Sequence, residues 1–83
     1  MTALQELIRA RTKGFALAVI RLTGKLPHNT EGWVLGKQLL RSGTSVAANY
    51  RAAGRARSRA EFIARIGVVL EEADETVFLV GNG

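Results

Sequence analysis

Apolar residues return every three or four positions along three successive stretches of this chain, and little interrupts them. Leu4, Ile8, Phe15, Val19, Leu22 and Leu26 form the first stripe. Trp33, Gly36, Leu39, Leu40, Val46, Tyr50 and Ala53 form the second, and Phe62, Ile66, Val69, Ala73, Val77 and Val80 the third. A period near 3.6 puts each set along one side of a helix. The interruptions are short: Pro27-His28-Asn29, where proline disfavours helix at the residue before it, and the stretch around Gly54. Short connections make neighbouring helices antiparallel. The fold class that follows is all-α, an antiparallel up-down helical bundle with three long helices in one domain spanning residues 1–83.

Local signals set the expected boundaries. Thr2 and Gln5 fit a capping box at the start of a helix reaching to about Leu26. A second helix starts near Thr30, with Glu31 placed well for the helix dipole, and Gly54 is its expected C-terminal cap. Within it, Ser42-Gly43-Thr44-Ser45 places four poor helix formers in a row, which predicts a kink or a short break. Ser58 and Glu61 fit a second capping box, and Gly81-Asn82-Gly83 closes the third helix. Gly14 and Gly24 each weaken the first helix by about 1 kcal/mol relative to Ala.

Size makes association the expected route to robustness. A chain this short buries only about 60–65% of the surface that it exposes when unfolded. Cysteine is absent and His28 is the single histidine, so no disulfide, metal or other cofactor is expected to help. Helix three finishes on Val77-Phe78-Leu79-Val80, apolar all round, which marks a segment covered on several sides. Three helices cannot cover all this apolar surface between them. Val77, Phe78, Leu79 and Val80 are therefore expected to meet another subunit or a partner protein. Trp33 is either an anchor in the same interface or a cap on the core. The longest apolar run, Phe15 to Ile20, is far short of the roughly 18 residues of a membrane span. The N-terminus is charged and amphipathic and does not read as a secretory signal. No membrane contact and a cytoplasmic location are expected.

Charge is strongly polarised. Residues 1–65 carry all 12 Lys and Arg and three acids, a net of +9, whereas residues 66–83 carry four acids and no base. In an up-down-up arrangement the start of helix one, the end of helix two and the start of helix three share one end. Arg9, Arg11, Lys13, Arg51, Arg55, Arg57, Arg59 and Arg65 all lie toward it. Guanidinium forks match phosphate bidentately, and neutralised phosphates release counterions, so this end could hold RNA or DNA backbone. The bland alternatives are a solvated face, or pairing with acids of a neighbouring subunit. Tyr50 and Phe62 stand nearby, but no exposed aromatic platform can be argued from the sequence, so base-specific recognition is not indicated.

Nothing points to catalysis. Glu71, Asp74 and Glu75 share a helix face, but a carboxylate site needs further ligands or a tuned acid–base partner, and a solvated face or inter-subunit salt bridges suit them better. His28 reads as an exposed loop residue. Ser45 and Asn49, one turn apart, read as a buried polar contact linking helices rather than as a nucleophile, which would need a base at hand.

The run Ser42-Gly43-Thr44-Ser45-Val46-Ala47-Ala48-Asn49-Tyr50-Arg51-Ala52-Ala53-Gly54-Arg55, followed by Ser58 and Glu61-Phe62-Ile63, resembles a bacterial four-helix bundle family. Its members include proteins encoded in intervening sequences of large-subunit ribosomal RNA genes, and the accessory protein of diversity-generating retroelements looks like a relative. The resemblance covers about residues 5–80. Ser45, Asn49, Gly54, Arg55, Ser58 and Glu61 sit where the family pattern puts them. The chain departs from the pattern at Ala47, where many members have Pro, and at Glu71-Glu72, where small residues are common. It implies a kinked second helix, a toroidal homopentamer, binding to nucleic acid or a partner protein, and no catalytic activity. It also implies a fourth helix, which residues 1–83 do not contain. Two function classes stand: an oligomeric, nucleic-acid-associated accessory protein using the arginine-rich end, and a protein-interaction or scaffold module using the apolar seam.

Overall fold

The computed structural model describes residues 2–81. Three helices make up the fold: α1 (Ala3–Thr23), α2 (Thr30–Ala53) and α3 (Arg59–Val80). The Thr2–Gln5 capping box forms as expected, with Gln5 N–H on Thr2 Oγ1 at 3.1 Å and Thr2 N–H on Gln5 Oε1 at 2.9 Å. Asn29 caps α2, its side-chain oxygen accepting from Gly32 N–H at 2.8 Å. The second box closes only halfway. Ser58 Oγ accepts from Glu61 N–H at 3.0 Å, but the Glu61 carboxylate reaches past Ser58 to the backbone N–H of Arg57, at 3.2 Å.

α1 ends at Thr23 rather than near Leu26. Gly24 is its cap, and Lys25 and Leu26 turn back onto the carbonyls of Leu22 and Thr23. Such tight i to i+3 bonds satisfy carbonyls that a helix end leaves free. Gly54 caps α2 as expected, and Gly81 caps α3 at φ 87°, the left-handed geometry that favours glycine. Asn82 and Gly83 lie outside the described residues.

α2 does not break at Ser42–Ser45; it is helical from Thr30 to Ala53. Poor helix formers are tolerated there because tertiary packing uses their small size. Ser42 and Gly43 are buried, and a Cβ on Gly43 would come within 2.8–2.9 Å of three Val19 side-chain carbons. Thr44 instead bonds its hydroxyl back to the Leu40 carbonyl at 2.5 Å. Back-bonds of this kind are a usual local cause of helix bending.

α2 is the central element. It packs along both α1 and α3, which do not pack against each other. Val19 against Gly43, and Leu26 near Gly36, fix α1 antiparallel to α2; the five-residue connection between Ala53 and Arg59 turns α3 back along α2, where Ser42 bonds Thr76. The core is correspondingly slim: among the described residues Ala16, Val19, Leu39, Val46 and Ala53 are the buried apolar ones, and Leu39 is the largest side chain that is fully covered. Trp33 and Leu40, expected on the inner side of α2, are exposed, as are Phe62 and Val77 on α3. The inner positions go to smaller residues, because only small ones let α2 approach both neighbours. Among the described residues no helix is long and apolar enough to cross a membrane.

Candidate nucleic-acid interface

Helix capping builds the basic end. The Ser58 cap starts α3 immediately beyond the connection that carries Arg55 and Arg57, and Gly54 ends α2 just after Tyr50 and Arg51. The antiparallel packing then brings the first turns of α1 alongside. Two clefts result. One, of about 300 Å³, opens between the three helices at this end: Gln5 and Arg9 come from α1, Tyr50 and Arg51 from the end of α2, Arg55 from the connection after it, and Phe62 from α3. The other, of about 600 Å³, runs between α1 and α2 and is lined by Arg9, Lys13 and Arg51 together with alanines, among them the buried Ala16. Arg9 and Arg51 line both clefts.

Arg9, Lys13, Arg51 and Arg55 are thus brought together as the polarised sequence suggests. Arg57 and Arg59 lie exposed at the same end, in the α2–α3 connection and the first residue of α3. Arg65 is exposed almost two turns further along α3, and Arg11 is exposed on α1; neither lines either of these two clefts. Arg11 follows Arg9 by two residues, which carries it about 200° round the helix.

Among the described residues, ion pairs form elsewhere. Arg41 donates from Nη1 to both Glu72 oxygens at 3.2 Å and from Nη2 to Glu75. Its guanidinium pKa is raised, chiefly by the hydrogen bond to Glu72, with the charges of Glu72 and Glu75 adding to it. The carboxylates that meet are therefore Glu72 and Glu75, not the trio Glu71, Asp74 and Glu75. Arg41 escapes a reading of the sequence because it stands 31 and 34 residues from its partners; its one signal is a base midway along α2, level with acids of α3. None of the eight bases assigned to the basic end pairs with a carboxylate among the described residues. Glu61, the acid nearest in sequence, accepts from a backbone N–H.

Two other expectations change. Tyr50 and Phe62 do form an aromatic wall in the three-helix cleft, half-buried and 39% exposed respectively. Helical spacing hides this, because both fall on stripes that read as core. Ser45 and Asn49 make a contact local to α2, with Asn49 Nδ2 donating to Ser45 Oγ at 2.8 Å and to its carbonyl at 2.9 Å. The polar contact that links helices is Ser42 with Thr76, at 2.8 Å and fully buried. Thr76 Oγ1 is also 2.8 Å from the Glu72 carbonyl. With one hydrogen on each hydroxyl, Thr76 serving the carbonyl and Ser42 serving Thr76 uses both.

At the far end the structure leaves Trp33 66% exposed and Phe78 80% exposed, with Val77 and Val80 also open and Leu79 half-buried. His28 is exposed in the α1–α2 connection. Among the described residues no three His, Cys, Asp or Glu side chains gather as a metal site.

Comparison with curated proteins returned no match. A crystal structure of a protein of unknown function from Bacteroides thetaiotaomicron, described as of the S23 ribosomal protein family, superposes with a TM-score of 0.83 at 37% sequence identity. The match covers 90% of the present chain and 67% of that one. The model of the 23S rRNA-intervening sequence proteins matches residues 6–80. With three-quarters or more of the chain matched in both sequence pattern and fold, the chain belongs to the 23S rRNA-intervening sequence protein family.

Proposed function

We propose that this protein is a non-catalytic accessory protein that binds the phosphate backbone of nucleic acid through its arginine-rich end. One observation carries the reading: bases from three helices converge on that end with no carboxylate partner among the described residues, while Arg41 holds Glu72 and Glu75 at mid-height. Unpaired guanidiniums stay hydrated and available, and each phosphate they neutralise adds a counterion-release contribution to binding. Replacement of Arg51, Arg55 and Arg57 by Ala tests it. Binding of labelled RNA or DNA, followed by anisotropy across a salt series, should weaken at low salt. The slope of log K against log salt should fall by about one for each phosphate that the variant no longer neutralises. Unchanged binding and slope in the variant would sink the assignment of these residues.

A protein-interaction reading has its own support at the other end. Phe78, Val77 and Trp33 leave large apolar surface open, which an isolated chain with so slim a core gains by covering. Association with copies of itself, a pentamer if the family resemblance extends to assembly, fits this surface; so does a partner protein. Phe78→Asp should then lower the mass seen by light scattering, and an unchanged mass would remove Phe78 from the interface. The two sites lie at opposite ends, so both readings can hold for one molecule. A cytoplasmic setting suits both.

A further inference from the structure

We propose that the three-helix cleft is a seat for one unpaired nucleotide, its base against Phe62 and Tyr50 and its phosphate on Arg9, Arg51 and Arg55. The inference rests on the nucleic-acid reading of this end and specifies the form bound: a single strand with a splayed base rather than a continuous duplex.

Size, lining and continuity support it. At about 300 Å³ the cleft lies at the small end of ligand clefts, a scale suited to one nucleotide and not to a stacked column of pairs. Its wall combines two aromatic side chains with three guanidiniums, which matches the two faces of a nucleotide. Bases stack on aromatic rings and on guanidinium planes only when they leave their own stack. A duplex offers phosphates to the arginines but has no free base face for Phe62. Gln5 contributes a polar donor: its Oε1 is held by the Thr2 N–H at 2.9 Å, which leaves the amide nitrogen for a base edge. The aromatic wall is anchored, because Phe62 N–H bonds the Ser58 carbonyl at 3.0 Å in the capped first turn of α3. A strand leaving the seat has a path. Arg9 and Arg51 also line the α1–α2 groove, where Lys13 continues the basic side and Glu6 is the only acid of the lining.

The test compares a single-stranded oligonucleotide, a blunt-ended duplex of two separate strands and adenosine monophosphate on the intact protein at one salt concentration. The strand should bind at least several-fold tighter than the duplex. Phe62→Leu, which keeps an apolar side chain toward α2, should weaken strand binding about five- to tenfold while leaving duplex binding and the salt slope unchanged. Irradiation of the wild-type protein with a strand carrying 5-bromouracil should give adducts at Tyr50 or Phe62, a readout that needs no variant to fold. Equal affinity for strand and duplex, with adducts elsewhere, would overturn the seat and leave backbone binding standing. Adenosine monophosphate competing as well as the strand would make the ligand a free nucleotide and overturn the strand. Binding of none of the three at low salt would overturn both the seat and the nucleic-acid reading.

Discussion

The middle of the molecule and its basic end treat polar groups in opposite ways. At mid-height the buried hydroxyls have partners, Ser42 with Thr76 and Thr76 with the Glu72 carbonyl, and the exposed Arg41 holds two carboxylates beside them. At the basic end the guanidiniums face water and open clefts, and none of them forms an ion pair among the described residues. The difference follows from burial. A hydroxyl removed from water costs about 1–3 kcal/mol if left without a partner, so the belt around Leu39 must be complete. A hydrated guanidinium needs none, so the end can keep its charge available for a ligand. Stability is concentrated in the belt and binding capacity at the end, and the two should respond to mutation separately.

The largest test of that separation is Leu39→Ala. It removes the largest fully buried side chain among the described residues, and should cost about 2–5 kcal/mol in urea denaturation followed by circular dichroism. A cost under about 1 kcal/mol would mean that the belt is not the core. Thr76→Val comes next. It strands the Ser42 hydroxyl, whose remaining contact is the Leu39 carbonyl at 3.5 Å, and should cost roughly 1–3 kcal/mol. Adding Ser42→Ala should restore much of that stability, since no buried hydroxyl is then left over; a double variant as unstable as the single would show that packing, not hydrogen bonding, sets the effect. Gly14→Ala should have the smallest effect and the opposite sign. A Cβ there meets nothing within 4 Å, so the change should stabilise α1 by about 0.5–1 kcal/mol. The triple arginine variant sharpens the contrast from the other side, since its melting temperature should stay where the wild type's is.

Helix count, polarity and end-to-end charge separation could all be read from the sequence, because each depends on local spacing. The apolar period marks the helices, the Thr2 and Ser58 caps mark two starts, and antiparallel order follows from connections too short for anything else. The gathering of Arg9, Lys13, Arg51 and Arg55 was legible for the same reason. What could not be read is which side of each stripe is covered. Trp33 and Phe62 sit on inner-looking stripes yet are exposed, and Ser42 and Gly43 look like a helix break yet lie in the tightest seam. Periodicity gives the direction in which a side chain points around its own axis and says nothing about how closely the next helix comes. Only the tertiary structure decided that α2 would take the centre, with small residues letting α1 and α3 approach it. The same packing set Tyr50 and Phe62 in one cleft with three arginines. It also joined Arg41 to Glu72 and Glu75 across more than thirty residues of chain. Those pairings depend on distances between helices, which no local pattern encodes.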